Sequence, residues 1–117
     1  MSSEVAIIAA NLRARQAAAQ AEVERRAEAM RGRIPLAVAR LRAEFGAGRV
    51  WLFGSFAAGR VHAESDVDLA AEGVLPQDEW RAGATLEDIL EGPVDFVRWE
   101  SAPESLRARI LVEGLPL

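Results

Sequence analysis

A four-residue apolar run, Val50-Trp51-Leu52-Phe53, ends without any spacer on Gly54-Ser55. Four residues suit a buried strand better than a helix. A strand that stops on glycine and serine turns sharply, leaves backbone N–H groups exposed, and lets a phosphate come close. The Ser55 hydroxyl adds a further donor. Gly59 then allows the chain to reverse toward the next element. The fold must therefore place a strand end, rich in donors, at an accessible surface.

Six residues beyond Gly59, Ser65-Asp66-Val67-Asp68-Leu69-Ala70 alternates polar with apolar residues and reads as a second strand. Asp66 and Asp68 fall on one face, with Cα atoms about 6.5 Å apart, while Val67 and Leu69 face the core. Two carboxylates so placed repel, and one would normally take up a proton. A divalent cation removes the conflict, and aspartate oxygens suit Mg²⁺. Asp-x-Asp alone is a weak signal, since exposed turns often contain it. Asp95 strengthens it. It lies inside Val94-Asp95-Phe96-Val97, which reads as a buried third strand where an unpaired carboxylate is costly. If the two strands are neighbours, three carboxylates share a face and could bind one or two Mg²⁺ ions. The competing reading is an edge-strand aspartate facing water.

The remainder reads as helix. Glu4 to Met30 contains no Gly or Pro, and Ile8, Leu12, Ala19, Val23 and Met30 form one thin apolar stripe. Gly32 and Pro35 punctuate it, so a second helix is predicted from Pro35 to about Phe45, packing Leu36, Val38, Leu41 and Phe45. Pro76 to Leu90 is helical, with a break near Gly83 and a restart at Thr85. Ser101 and Glu104 form a capping-box pair opening a last helix that ends at Gly114. The expected architecture is an α/β (α+β) domain: a short mixed three-stranded sheet flanked by helices, residues 34–117, with an N-terminal helical extension, 1–33.

Composition removes whole classes of chemistry. There is no cysteine, so disulfides, thiolate metal sites and a cysteine nucleophile are excluded. All 14 basic residues are arginine, so no lysine acts as base or phosphate cradle, and there is no tyrosine. His62 is the single histidine, which rules out a multi-histidine metal site made by one chain. Neither a signal peptide nor a membrane-length run is evident, and a cytoplasmic protein is expected. Residues 1–49 carry nine Arg against five Glu, a balance of +4, whereas 50–117 carry five Arg against thirteen Asp and Glu, −8. Such asymmetry suggests two surfaces with different jobs. The arginines of the first half alternate with Glu22, Glu24 and Glu28 and lack aromatic neighbours, so protein partners or self-association are expected there rather than nucleic acid. Trp51, Trp80 and Trp99 are read as packing residues, His62 as exposed, and Arg98 as a minor candidate for facing the acidic site.

Taken together, the apolar strand, Gly54-Ser55, the ten-residue connection Phe56–Ser65, Asp66-Val67-Asp68 and the later Asp95 resemble the DNA polymerase β-like nucleotidyltransferases, in particular their smallest branch, the MNT-type domains. Ser65-Asp66-Val67-Asp68-Leu69 is similar to that branch's Ser-Asp-x-Asp-Leu, and Leu106-Arg107-Ala108-Arg109-Ile110 with Gly114 to its closing helix. The likeness covers about residues 36–117. It implies transfer of a nucleoside monophosphate from a nucleoside triphosphate, ATP by expectation, with Mg²⁺ as cofactor. Gly54, Ser55 and Arg60 would bind the nucleotide; Asp66, Asp68 and Asp95 would ligate metal and serve catalysis. It also implies a HEPN-domain protein as partner, in a toxin–antitoxin pair, with a homo-oligomer through the N-terminal helices as the other option. One departure stands out. The branch often carries a basic residue where this chain has Ala58, and Arg60 lies two positions on. A weakly active or inactive binding module that neutralises or scaffolds a partner is therefore the alternative.

Overall fold

The computed structural model describes residues 2–117. Its elements, in chain order, are α1 (Ser2–Phe45), β1 (Val50–Phe53), α2 (Gly54–Ala58), β2 (Val67–Ala71), α3 (Glu79–Leu90), β3 (Val94–Arg98), α4 (Glu104–Glu113) and β4 (Leu115–Pro116), with single 3₁₀ turns at Pro76–Asp78 and Trp99–Ser101. The four strands form one sheet in the order β3-β2-β1-β4. β1 runs antiparallel to β2 and to β4, while β2 and β3 are parallel, joined through α3. The sheet is mixed, as expected.

Period-two alternation sends the side chains of each strand to two cores. Val50, Leu52, Val67, Leu69 and Ala71 point to one face, where α1 supplies Ala27, Met30, Ile34, Ala37, Val38, Leu41 and Phe45, and α3 supplies Ala82, Leu86 and Leu90. Trp51 and Ala70 point to the other face, packed against Ile110 and Leu106 of α4 and against Trp99. Trp51 and Trp99 stack with ring centroids 4.4 Å apart, so both are packing residues.

Several local expectations need correction. The two predicted helices are one: α1 runs unbroken for 44 residues with Pro35 inside it. Proline removes one backbone hydrogen bond and costs about 3 kcal/mol in a helix interior. Burial of Met30 and Ile34 before Pro35, and of Ala37, Val38 and Leu41 after it, outweighs that cost because the apolar stripe keeps its phase across the proline. Leu36, expected in the core, is off the stripe and exposed. α3 continues through Gly83, and the Thr85 hydroxyl donates to the Arg81 carbonyl instead of capping a new helix. The capping box is absent too: Ser101 sits in a 3₁₀ turn, donating to the Arg98 carbonyl, and Pro103 precedes α4. Trp80, read as a core anchor, is 90% exposed. A fourth strand, β4, was not expected. At two residues, one a proline, it has no readable periodicity and fits only at an edge.

Candidate active site

β1 delivers the chain to the site. Its last residue, Phe53, is paired with Asp68 across the antiparallel ladder, so the turn after it lies next to that carboxylate. Gly54 has φ +71°, a conformation disfavoured for side-chain-bearing residues. A Cβ placed there would also collide with Asp68 Oδ2 and lie 3.0 Å from Asp68 Cγ. Glycine is thus required twice: for the backbone turn and for the room it leaves the carboxylate. The chain then makes the short helix α2, closed by Gly59 at φ +71°, with the Arg60 N–H donating to the Ser55 carbonyl over 2.9 Å. The remaining connection is tied by Ser65, whose Oγ accepts from the His62 N–H at 2.9 Å.

Asp68 is half-buried in β2, and its parallel neighbour in register is Asp95 of β3. Parallel neighbours in register point to the same side of a sheet, here the face opposite Val67, Leu69 and Phe96. Burial, then the Asp95 carboxylate, then that of Asp66, push the Asp68 carboxyl up from its ordinary 3.8 to about 6. Asp66 lies just before β2 and is exposed, and Asp95 is exposed because β3 is an edge strand, not the buried strand expected. Among the described residues, no three carboxylate or imidazole side chains close on a common point as they stand. The donor chemistry nonetheless fits a hard cation: only carboxylate oxygens, with mutual repulsion raising the proton affinity of the central one.

A cavity of about 470 Å³ opens between α2, the end of β1 and α4. Gly54, Ser55, Arg60 and Asp68 line it, so four of the residues singled out from the sequence meet there; Asp66 and Asp95 do not line it, though their charges act on Asp68. Ala58 and His62 line it as well. Arg109 of α4 is the residue that sequence reasoning missed. The resemblance places a basic residue where this chain has Ala58, in the connection after Gly-Ser. The cation arrives instead from the last helix, one position before the buried Ile110 that anchors α4 to the sheet. Neither Arg60 nor Arg109 has a carboxylate partner among the described residues. Arg98 does not face the acidic group; it donates to the Val74 carbonyl at 2.7 Å.

The family model described as polymerase beta, nucleotidyltransferase matches residues 40–117. The chain belongs to the polymerase β nucleotidyltransferase family. A solved structure described as a minimal nucleotidyltransferase is 35% identical, with 78% of this chain and 95% of that one covered and a TM-score of 0.67. A toxin–antitoxin complex crystallised with AMP-PNP contains a chain 25% identical, covering 68% of each, with a TM-score of 0.61. An MNT antitoxin bound to a tri-AMPylated HEPN toxin of Shewanella oneidensis, 21% identical over 74% of this chain and 70% of that one, shares the fold at a TM-score of 0.60. No curated protein matches the sequence. The nucleotidyltransferase match begins inside α1, so most of that helix lies outside the family's common unit.

Proposed function

We propose that this chain transfers AMP from ATP, with Mg²⁺, to a protein or small-molecule acceptor, and serves as the antitoxin of a toxin–antitoxin pair in the cytoplasm, with a HEPN-type protein as partner. The observation that carries the reading is the cavity in which Gly54 and Ser55 face two unpaired arginines beside Asp68, itself in register with Asp95. Likeness to a toxin–antitoxin complex holding AMP-PNP supports the nucleotide and the partner class. Residues 34–117 are the catalytic unit in this reading, and 1–33 an extension to it.

The triphosphate is held by the Gly54-Ser55 turn and the Ser55 hydroxyl, with Arg60 and Arg109 balancing its charge. Asp66, Asp68 and Asp95 would hold Mg²⁺, which when bound supplies positive charge to the α-phosphate and the departing pyrophosphate. Asp95, exposed on the edge strand β3, accepts the proton of the acceptor hydroxyl. The acceptor oxygen forms a bond to the α-phosphorus as the bond to the β-bridging oxygen breaks. Pyrophosphate leaves and AMP stays on the acceptor. With Asp68 proton-free only above about pH 6, transfer is expected to fall in more acidic solution unless metal holds the carboxylate ionised.

A second reading has its own observations: Ala58 stands at a usually basic position, and the three carboxylates do not converge on one point among the described residues. On that reading the domain neutralises its partner by contact. The two are separated by incubating the chain with ATP, Mg²⁺ and the candidate toxin and measuring pyrophosphate release. The enzyme reading predicts that Asp66→Asn or Asp68→Asn slows release about a hundredfold or more. The binding reading predicts no release from wild type, while the double variant still protects cells from the toxin.

A further inference from the structure

A second cavity, of about 440 Å³, shares no lining residue with the cavity at Gly54. It runs between α3 and β3. Trp80 and Gly83 of α3 and Phe96 of β3 form its walls, and Asp95 sits on its lip. Trp80 is 90% exposed, far more than a tryptophan that merely fills a core. β3 is an end strand, so one side of its backbone has no strand partner among the described residues. Free strand edges are pairing templates, and folded proteins usually blunt or cover them. The lining also carries Glu79, Glu87 and Asp95 and no basic residue. None of the three has an ion-pair partner among the described residues.

We infer that this groove and the free edge of β3 dock a protein acceptor as an added strand, an extended segment of alternating apolar and basic or hydroxyl side chains. Strand addition uses main-chain hydrogen bonds for affinity and alternate side chains for selectivity. On β3 the alternation is already visible. Phe96 belongs to the face that α3 covers, whereas Asp95 belongs to the face shared with Asp68. A strand laid along β3 inherits the same alternation. One set of its side chains lies against Trp80 and Phe96, and the other set stands beside Asp95, where a hydroxyl meets the proposed proton acceptor. Glu79 and Glu87, without ion-pair partners among the described residues, select arginine or lysine in the segment and disfavour acidic ones. Docking itself does not depend on transfer; only the use made of the hydroxyl at Asp95 rests on the proposed AMP transfer.

The test uses the full chain and a synthetic eight-residue peptide alternating valine with arginine and serine, capped at both ends. Binding is monitored by tryptophan emission, with a Trp80→Phe variant identifying the contribution of residue 80. The expected result is a blue-shifted Trp80 signal on saturation. Trp80→Ala and Gly83→Arg are each expected to weaken binding about tenfold or more, as central contacts do. Trp80 is exposed, and a Cβ at Gly83 meets only Phe96 Cβ at 3.9 Å, so both variants should fold. Replacing the peptide's arginines by glutamate, or N-methylating alternate amides on its pairing side, is expected to abolish binding. Equal affinity for either variant, or for the N-methylated peptide, would overturn the proposal. Neither Trp80 nor Gly83 lines the cavity at Gly54, so Mg²⁺–nucleotide affinity should be unchanged in both variants. Failure of peptide docking with nucleotide binding intact sinks the groove alone. Docking without any transfer sinks the enzyme reading alone.

Discussion

Gly54 shows how narrowly a single position can be constrained. Its positive φ and its contact with Asp68 are separate requirements, and alanine violates both. Gly54→Ala is expected to cost about 1–3 kcal/mol in urea unfolding and to displace Asp68, weakening Mg²⁺–nucleotide binding at the same time. A variant with wild-type stability and binding would show that the turn tolerates a side chain. Asp68 makes the opposite trade. Its carboxyl is raised to about 6, so the folded state holds its proton more tightly than the unfolded chain does. The resulting penalty is absent below about pH 4, grows between 4 and 6, and is fully present above 6. Asp68→Asn should therefore stabilise the metal-free protein at pH 7.5, by about 1–2 kcal/mol after discounting for solvent, with no gain at pH 4. Thermal unfolding at the two pH values checks it. That Gly54, Ser55 and Asp68 would be brought together was legible in the sequence because they break a local pattern: a Gly-Ser turn straight after an apolar run, and a charge within one. Arg109 was not, since an arginine on a solvated helix breaks nothing. Trp80 was misread for a related reason, because composition says a tryptophan is usually covered but not by what.

Among the elements, α1 departs most from what its sequence announces. A helix of 44 residues at 1.5 Å per residue spans about 66 Å. From about Ala27 onward it is held by the core, and before that it is held by almost nothing: Val5, Ile7, Ile8 and Leu12 are 52–63% exposed. Most helix stability in proteins comes from tertiary packing of an amphipathic face, and this stretch has little of it. Deleting residues 2–21 is expected to change the unfolding free energy by less than about 1 kcal/mol, whereas Leu41→Ala, at a fully buried position, should cost about 2–5 kcal/mol. A large loss on truncation would mean that the arm folds onto the domain or onto a second chain. The boundary at Pro35 was predicted from the rule that proline ends helices, and that rule is local. What overrides it is the continued phase of the buried stripe, visible only once α3 and the sheet stand opposite. β4 was hidden for a different reason. Two residues cannot show a period, and their pairing to Trp51 and Leu52 depends on where α4 happens to end.

At the scale of the molecule, the principal extents of 64 × 28 × 20 Å describe a small domain with an arm. The domain holds the acidic half of the chain, and its two cavities lie at the two members of the Asp68–Asp95 pair: one beside the Gly54-Ser55 turn, lined by Asp68, Arg60 and Arg109, the other along β3, lined by Asp95, Glu79 and Glu87. The first cavity sets its arginines against Asp68 and Glu113, whereas the second has acidic residues only, which suits a basic acceptor segment. The arm adds a third surface, alanine-rich with Val5, Ile7, Ile8 and Leu12 exposed, outside the stretch matched by the family. Among the described residues no helix is long and apolar enough to cross a membrane. The central claim is that the cavity beside Gly54 holds a metal–nucleotide complex through these carboxylates. Calorimetric titration of a non-hydrolysable ATP analogue into the full chain, with and without Mg²⁺, tests it most directly. The account predicts one site per chain that requires Mg²⁺ and is lost when Asp66 and Asp68 are both changed to asparagine. Absence of binding to wild type, or undiminished binding to the double variant, would contradict it.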